Sequence, residues 1–162
     1  MTLYAVLKLL HVASAIWLTS GLLGRAMALA AARRAPDIRI LKAIADLSGR
    51  LENAMVAPGY LAVVVTGIAT AIVGGLPLLG PFDGGPLWLF IPLVLFVVAV
   101  ILGPIVLGHD RRWGQALEEA AAGGAITERL RTYLDRGAML RRYGPDIALV
   151  GVILVLMVLK PF

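Results

Sequence analysis

Cysteine is absent from the 162 residues, and charged residues are scarce. Without cysteine the chain has no disulfide framework, no thiolate metal site and no cysteine nucleophile. Charged residues make up 15% of the chain, against about 25% in soluble domains, whereas hydrophobic residues make up 60%. A soluble domain of this size cannot bury so much apolar surface, because its surface-to-volume ratio is too high. The composition therefore predicts an integral membrane protein with a single domain, residues 1–162, and argues against a soluble enzyme.

Long stretches without a formal charge predict the membrane spans, since a spanning helix needs about 20 mainly apolar residues. Four spans are predicted, at about residues 3–24, 54–74, 87–108 and 146–160. The fourth is short, which leaves an interfacial or re-entrant segment as its alternative. We place its start at Pro145 and Asp146, because proline and an acidic side chain both favour the first turn of a helix. Asp146 and Lys160 would then extend to opposite headgroup layers. The predicted fold is an all-α polytopic membrane protein, with four transmembrane helices in an antiparallel bundle.

Lysine and arginine are concentrated in two segments. Residues 25–53 hold six of them and residues 109–145 hold seven, so 13 of the 15 fall there, whereas residues 75–86 hold none. Because basic loops stay on the cytoplasmic side, both long segments are predicted to be cytoplasmic. Both termini are then outside. Basic segments beside anionic lipid account for the net charge of +5 and require no nucleic-acid partner.

Both basic segments contain helical patterns. Ile40, Ile44, Leu47 and Leu51 recur on one helix face, and a looser pattern follows in the second segment. We therefore predict basic amphipathic cytoplasmic helices that either lie at the interface or extend the spans. The run 120–124 (AAAGG) is predicted to be a flexible joint.

His11 is the strongest candidate for chemistry. It lies inside the first span, with Lys8 one turn earlier on the same face. An ionisable group inside a membrane is a functional candidate by default, and an imidazole can ligate a haem iron or relay a proton. The alternative is structural: a neutral His11 bonds to a hydroxyl or carbonyl of a neighbouring helix, with Thr66 the best partner by depth. Lys8 can reach the outer interface with its flexible stem.

Haem is the candidate cofactor, and Met157 is its candidate second ligand, because the helical rise places the thioether near the depth of His11. His109 would lie roughly 20 Å away in depth, so one haem cannot take both histidines. The other methionines are scattered, and the sequence has no zinc-ligand spacing, phosphate loop or nucleophile elbow. Three functions stay open: haem-linked redox chemistry, a non-catalytic membrane subunit or scaffold, and metal or small-solute transport. Whether the chain is an enzyme is not decided.

Small residues on the second span predict close helix packing. Thr66, Thr70 and Gly74 form one row at helical spacing. Gly59 and Gly67 would let a neighbouring helix approach or would leave room for a flat ligand. The lipid bilayer is the partner that the composition implies, and a homo-oligomer or a larger membrane complex is the candidate assembly.

Three short motifs carry a resemblance to a known family. They are the segment 7–25 (LKLLHVASAIWLTSGLLGR), the pairs Pro58-Gly59 and Thr66-Gly67, and the ending 157–161 (MVLKP). They resemble the DUF2269 family of predicted bacterial integral membrane proteins. The four-span layout with a histidine in the first span is more distantly similar to CopD-type copper-resistance proteins and to HemJ-type protoporphyrinogen oxidases. The latter resemblance implies haem b on a first-span histidine that matches His11. The oxidases' third-span lysine has no match, since residues 87–108 contain no lysine, which argues against that activity.

Overall fold

The computed structural model describes the backbone of residues 2–160 and the side chains of these residues except 81, 100–111 and 142. Within this part of the chain every regular element is a helix, as the composition predicts. The helices are α1 (Leu3–Ala32), α2 (Ile38–Leu51), α3 (Ala57–Val73), α4 (Leu87–Ala122), α5 (Glu128–Leu134) and α6 (Arg136–Leu159). One π-helical turn, Glu52–Val56, joins α2 to α3, and a short 3-10 turn, Gly80–Phe82, precedes α4.

Three helical stretches are long and apolar enough to cross a membrane: Leu3–Ala32, Ile38–Val73 and Arg136–Leu159. The described side chains of α4 add a shorter apolar stretch, Leu87–Ala99. The amphipathic helix that the sequence predicts is α2, and it continues through the π-helical turn into α3 as an extension of that span. We call the end of the helices where α1 begins the terminal end, and the end where α1 stops the basic end.

The helix of the fourth predicted span begins earlier than the sequence predicts. α6 starts at Arg136 and contains Pro145 and Asp146 in its interior, so the predicted start at Pro145 is wrong. The Asp135 carboxylate accepts hydrogen bonds from the backbone N–H groups of Gly137 (2.8 Å) and Ala138 (3.2 Å). The bonds from Ala138 and Gly137 also hold the pKa of Asp135 below its ordinary value. This capping side chain satisfies two donors of the first turn, and it sets the start of the helix upstream of the proline.

A small hydrophobic core lies at the basic end, where α2 meets α5 and the last turns of α4. Its buried members are Ile38, Leu41, Ala45, Ala116, Leu117, Ala120 and Leu130. The buried face of α2 differs from the apolar stripe by which the sequence predicts this helix. Two members of that stripe, Ile40 and Leu47, are 44% and 51% exposed. α4 ends at Ala122, and Gly124 has a φ of +70°, a left-handed conformation that glycine adopts at little cost. The predicted joint at 120–124 therefore falls at the end of α4.

α1 packs against α3 along a row of glycines. A Cβ atom on Gly59 would lie 3.1 Å from the Cα of Leu18, and one on Gly67 would lie 2.8 Å from Cε1 of His11. Gly74 faces a tyrosine ring of α1 in the same way. Side chains of α1 therefore fill the space beside Gly59 and Gly67, so these glycines permit close helix packing and do not leave a slot for a flat ligand there.

Candidate functional site

A cavity of about 500 Å³ lies among α1, α3, α4 and α6. Its walls are largely apolar, with side chains such as Ile68 and Leu93 facing it. His11 and Lys8 line it from α1, and Met157 lines it from α6. The structure thus brings three of the four candidate residues to one cavity, which we call the His11 cavity.

The fourth candidate, Thr66, contacts His11 directly. Nδ1 of His11 lies 3.1 Å from the carbonyl oxygen of Val63 and 3.3 Å from Oγ1 of Thr66. A carbonyl oxygen can only accept a hydrogen bond. The Thr66 hydroxyl already donates its own proton to the carbonyl of Ala62, at 2.6 Å, so it too acts as an acceptor toward the ring. Nδ1 therefore carries a proton and donates it, and the contact that the depths of His11 and Thr66 predict is present.

The second ring nitrogen of His11 is left with a lone pair. No acidic side chain pairs with His11 within the described residues, and a neutral ring protonated on Nδ1 has an unprotonated Nε2. No hydrogen bond to Nε2 is found in the same part of the chain. Metal-binding histidines have this arrangement, in which one nitrogen donates to a carbonyl and the other binds the metal. His11 therefore presents an unprotonated Nε2 that could bind a metal ion.

Of the two remaining ligand candidates, the structure describes the side chain of Met157 but not that of His109. Met157 lies on the wall that α6 contributes to the His11 cavity, so its thioether and the His11 imidazole share one space. The side chain of His109 lies outside the described residues. Among the side chains that are described, no group of three or more His, Cys, Asp and Glu residues is placed to hold a metal ion.

A second polar site, which the sequence analysis does not anticipate, lies toward the basic end. Arg25 is only 5% exposed. Its Nη1 donates to the carboxylate of Glu52, and its Nη2 lies 3.5 Å from Oδ2 of Asp146. The Tyr60 hydroxyl donates to the other oxygen of Asp146, and the guanidinium carbon of Arg25 lies 4.7 Å from the centre of the Tyr143 ring. We call these five residues the ionic cluster.

The ionic cluster joins α1, the π-helical turn, α3 and α6. It corrects two sequence-based assignments, since Arg25 belongs to α1 and not to a basic loop, and Asp146 pairs inside the protein and does not extend to a headgroup layer. The π-helical turn supplies Glu52, and such turns are frequent at functional sites. The sequence does contain a usable signal. Basic Arg25 and acidic Glu52 and Asp146 all lie at the edges of uncharged stretches, and charges at membrane depth usually pair.

His11 and Arg25 lie well apart along α1. Fourteen residues separate His11 from Arg25, which corresponds to about 21 Å at a rise of 1.5 Å per residue. The His11 ring therefore lies in the terminal half of α1 and Arg25 lies in its basic half, whereas the lining of the His11 cavity extends along α1 from Tyr4 to Leu23.

The comparisons with known proteins agree with the membrane character of the helices. One family model, described as a predicted integral membrane protein (DUF2269), matches residues 5–161. No curated protein and no solved structure matches the chain. The resemblance carried by the three motifs is therefore confirmed, whereas the distant similarity to CopD-type and HemJ-type proteins is not shown by any comparison.

Proposed function

Since the chain belongs to the DUF2269 family of predicted integral membrane proteins, we propose that it is a four-span antiparallel bundle that binds haem b in the His11 cavity. Nε2 of His11 would hold the haem iron. One observation carries the proposal: the Nδ1 proton of His11 is held by two acceptors, Val63 and Thr66, while the ring lines an apolar cavity. The same bonds fix the tautomer and the ring orientation that an axial ligand needs.

The other residues of the His11 cavity suit the same cofactor. Met157 is the candidate second ligand, since a thioether can serve as an axial ligand of haem iron. The apolar side chains of α1, α3, α4 and α6 would exclude water from the macrocycle. When bound, haem would supply one-electron redox chemistry, and the chain's own part is to bind, orient and shield it.

We expect protein purified from haem-replete cells to show a Soret band and, after reduction, α and β bands. His11→Ala should remove these bands, because it deletes the nitrogen that the structure orients. His109→Ala is the matched control and should keep them, because a histidine roughly 20 Å from His11 in depth cannot reach the same iron. Absorbance spectra of the three proteins at equal concentration decide the matter. A colourless wild-type protein that takes up no hemin in titration would overturn the proposal.

A second function is favoured by the same hydrogen bonds. His11 links α1 to α3, so it can serve as an interhelical bridge in a non-catalytic membrane subunit or scaffold. Such a subunit would work within a homo-oligomer or a larger membrane complex. Hemin titration distinguishes the two functions, because a protein in which His11 is only a bridge takes up no hemin. In that case His11→Leu should lower the free energy of unfolding by only about 1 kcal/mol. Transport of a metal or a small solute stays a prediction.

We propose that the terminal end lies outside a bacterial inner membrane and the basic end in the cytoplasm, following the distribution of lysine and arginine. Because the chain has no cysteine, single cysteines report the orientation without background. Pro36→Cys and Ala125→Cys lie in exposed connections at the basic end, and Leu79→Cys lies in the connection between α3 and α4. In intact cells a membrane-impermeant maleimide should label only Leu79→Cys. Labelling of either basic-end cysteine but not of Leu79→Cys would reverse the orientation.

A further inference from the structure

Two lysines line the His11 cavity without an acidic partner in the described part of the chain. Lys8 projects from α1, and Lys160 ends α6. The ion pairs that the structure describes involve Arg25, Lys42 and Arg129. Neither Lys8 nor Lys160 takes part in them, and both residues are exposed, so an anion can approach either ammonium group.

Both lysines belong to the terminal end of the cavity. Lys8 is five residues into α1, about 8 Å from its start by the helical rise, and Lys160 caps the last turn of α6. The Nζ atom of Lys160 lies 4.6 Å from the centre of the Trp88 ring, a cation–π contact that limits where this ammonium can go. Two helices from opposite ends of the chain therefore bring positive charge to one part of the cavity.

The rest of the cavity has the opposite character. Along α1 its lining extends from Tyr4 to Leu23, a rise of about 28 Å, and the side chains beyond His11 are mainly apolar. An uncharged lipid would make no use of the two exposed ammonium groups, and a small soluble anion would leave the apolar walls uncovered. A ligand that satisfies both parts has a lipophilic body and an acidic group at one end.

We propose that the His11 cavity selects an anionic amphiphile whose carboxylate or phosphate is bound by Lys8 and Lys160. This inference rests on the proposed function only in its choice of cavity. The propionates of haem have this chemistry, and so do fatty acids and acidic phospholipids. Charge-assisted bonds from two ammonium groups then add to the affinity that the apolar walls provide.

The test uses metal-free protoporphyrin IX and its dimethyl ester, which share a lipophilic body but differ in their carboxylates. Fluorescence titration of the full chain in a neutral detergent should show at least about tenfold tighter binding of the free acid, the ratio that corresponds to 1.4 kcal/mol. The double variant Lys8→Gln/Lys160→Gln should reduce this ratio to about one. Lys42→Gln is the matched control, because Lys42 pairs with Glu118 away from the cavity, and it should keep the wild-type ratio.

Competition with palmitate and with phosphatidylglycerol identifies the source of the anion. Displacement of protoporphyrin by either lipid from the wild-type protein, but not from the double variant, indicates an acidic lipid, whereas resistance to both indicates a porphyrin carboxylate. Equal affinity for the acid and the ester in the wild-type protein overturns the inference, and so does a ratio that survives in the double variant. The inference is also overturned if the protein binds no porphyrin and binds the acidic lipids equally well with and without the two lysines.

The haem proposal fails separately. Because protoporphyrin IX has no iron, His11→Ala should leave the acid-to-ester ratio intact even though it removes the Soret band of hemin. A preserved ratio in a protein that binds no hemin would reject axial ligation and keep the amphiphile site. Hemin binding that requires His11 but neither lysine would keep the haem proposal and reject the amphiphile site.

Discussion

Arg25→Leu is expected to lower the free energy of unfolding by about 3–5 kcal/mol, the cost of removing one partner from a buried ion pair. Arg25 is 5% exposed, and it is the cation shared by Glu52 and Asp146. Without the guanidinium the two carboxylates, whose side chains are 24% and 22% exposed, would lose the buried counter-ion that they share. The variant would also lose the contact with the Tyr143 ring. Reversible unfolding in mixed micelles measures the effect.

Two further variants separate charge from packing. Lys42→Gln removes an ion pair whose side chains are 32% and 68% exposed, and it should cost only about 0–1 kcal/mol. The triple variant Arg25→Leu, Glu52→Gln and Asp146→Asn should recover most of the loss, because it leaves no carboxylate in the cluster while the side-chain amide oxygen introduced by Asp146→Asn can still accept from Tyr60. A single Arg25→Leu variant as stable as Lys42→Gln would show that the ionic cluster does not stabilise the fold.

The contact between His11 and Thr66 could be predicted because it depends on quantities that the sequence contains. Charge-free stretches locate the helices, and a fixed rise of 1.5 Å per residue converts positions into depths. Fifty-five residues separate the two side chains in the chain, yet their depths alone nominate them as partners. The same arithmetic predicts that Met157 lies near the depth of His11, and the structure adds that both line one cavity. The helical class and the existence of the amphipathic helix α2 follow equally from composition and local pattern, whereas the choice between an interfacial helix and an extension of the span does not.

The ionic cluster could not be predicted in the same way, because it depends on how each helix is rotated about its axis. The depth of Asp146 in the membrane is consistent with a side chain that faces the lipid headgroups or one that faces Arg25. The packing of α6 against the other helices decides between the two. Glu52 is presented by a π-helical turn, which shifts the helical phase in a manner that no local propensity signals. The start of α6 is another feature that local sequence preference does not settle, since the sequence predicts it at Pro145 and the helix begins at Arg136. Pro145 suits a first turn, but the helix begins at the Asp135 cap and contains the proline in its interior, which membrane helices tolerate.

Gly67→Ala is expected to destabilise the protein by about 1–3 kcal/mol, the usual cost of overpacking. The added Cβ would lie 2.8 Å from Cε1 and 3.1 Å from Nδ1 of His11, closer than van der Waals contact allows. The ring cannot retreat without stretching its bonds to Val63 and Thr66. Alanine otherwise favours a helix over glycine by about 0.5–1 kcal/mol, so the predicted sign is the reverse of the intrinsic preference.

Gly151→Ala is the matched control, since Gly151 lies inside α6 and an added Cβ would meet no atom within 4 Å. This variant should be neutral or slightly stabilised, and unfolding of both alanine variants in the same mixed micelles gives the comparison. If His11 is also the axial ligand, Gly67→Ala should weaken hemin binding by at least about tenfold while Gly151→Ala leaves it unchanged, because only the first moves the imidazole. Equal shifts in stability for the two variants would mean that α3 does not hold the His11 ring at Gly67, and the orientation on which axial ligation depends would be lost with it.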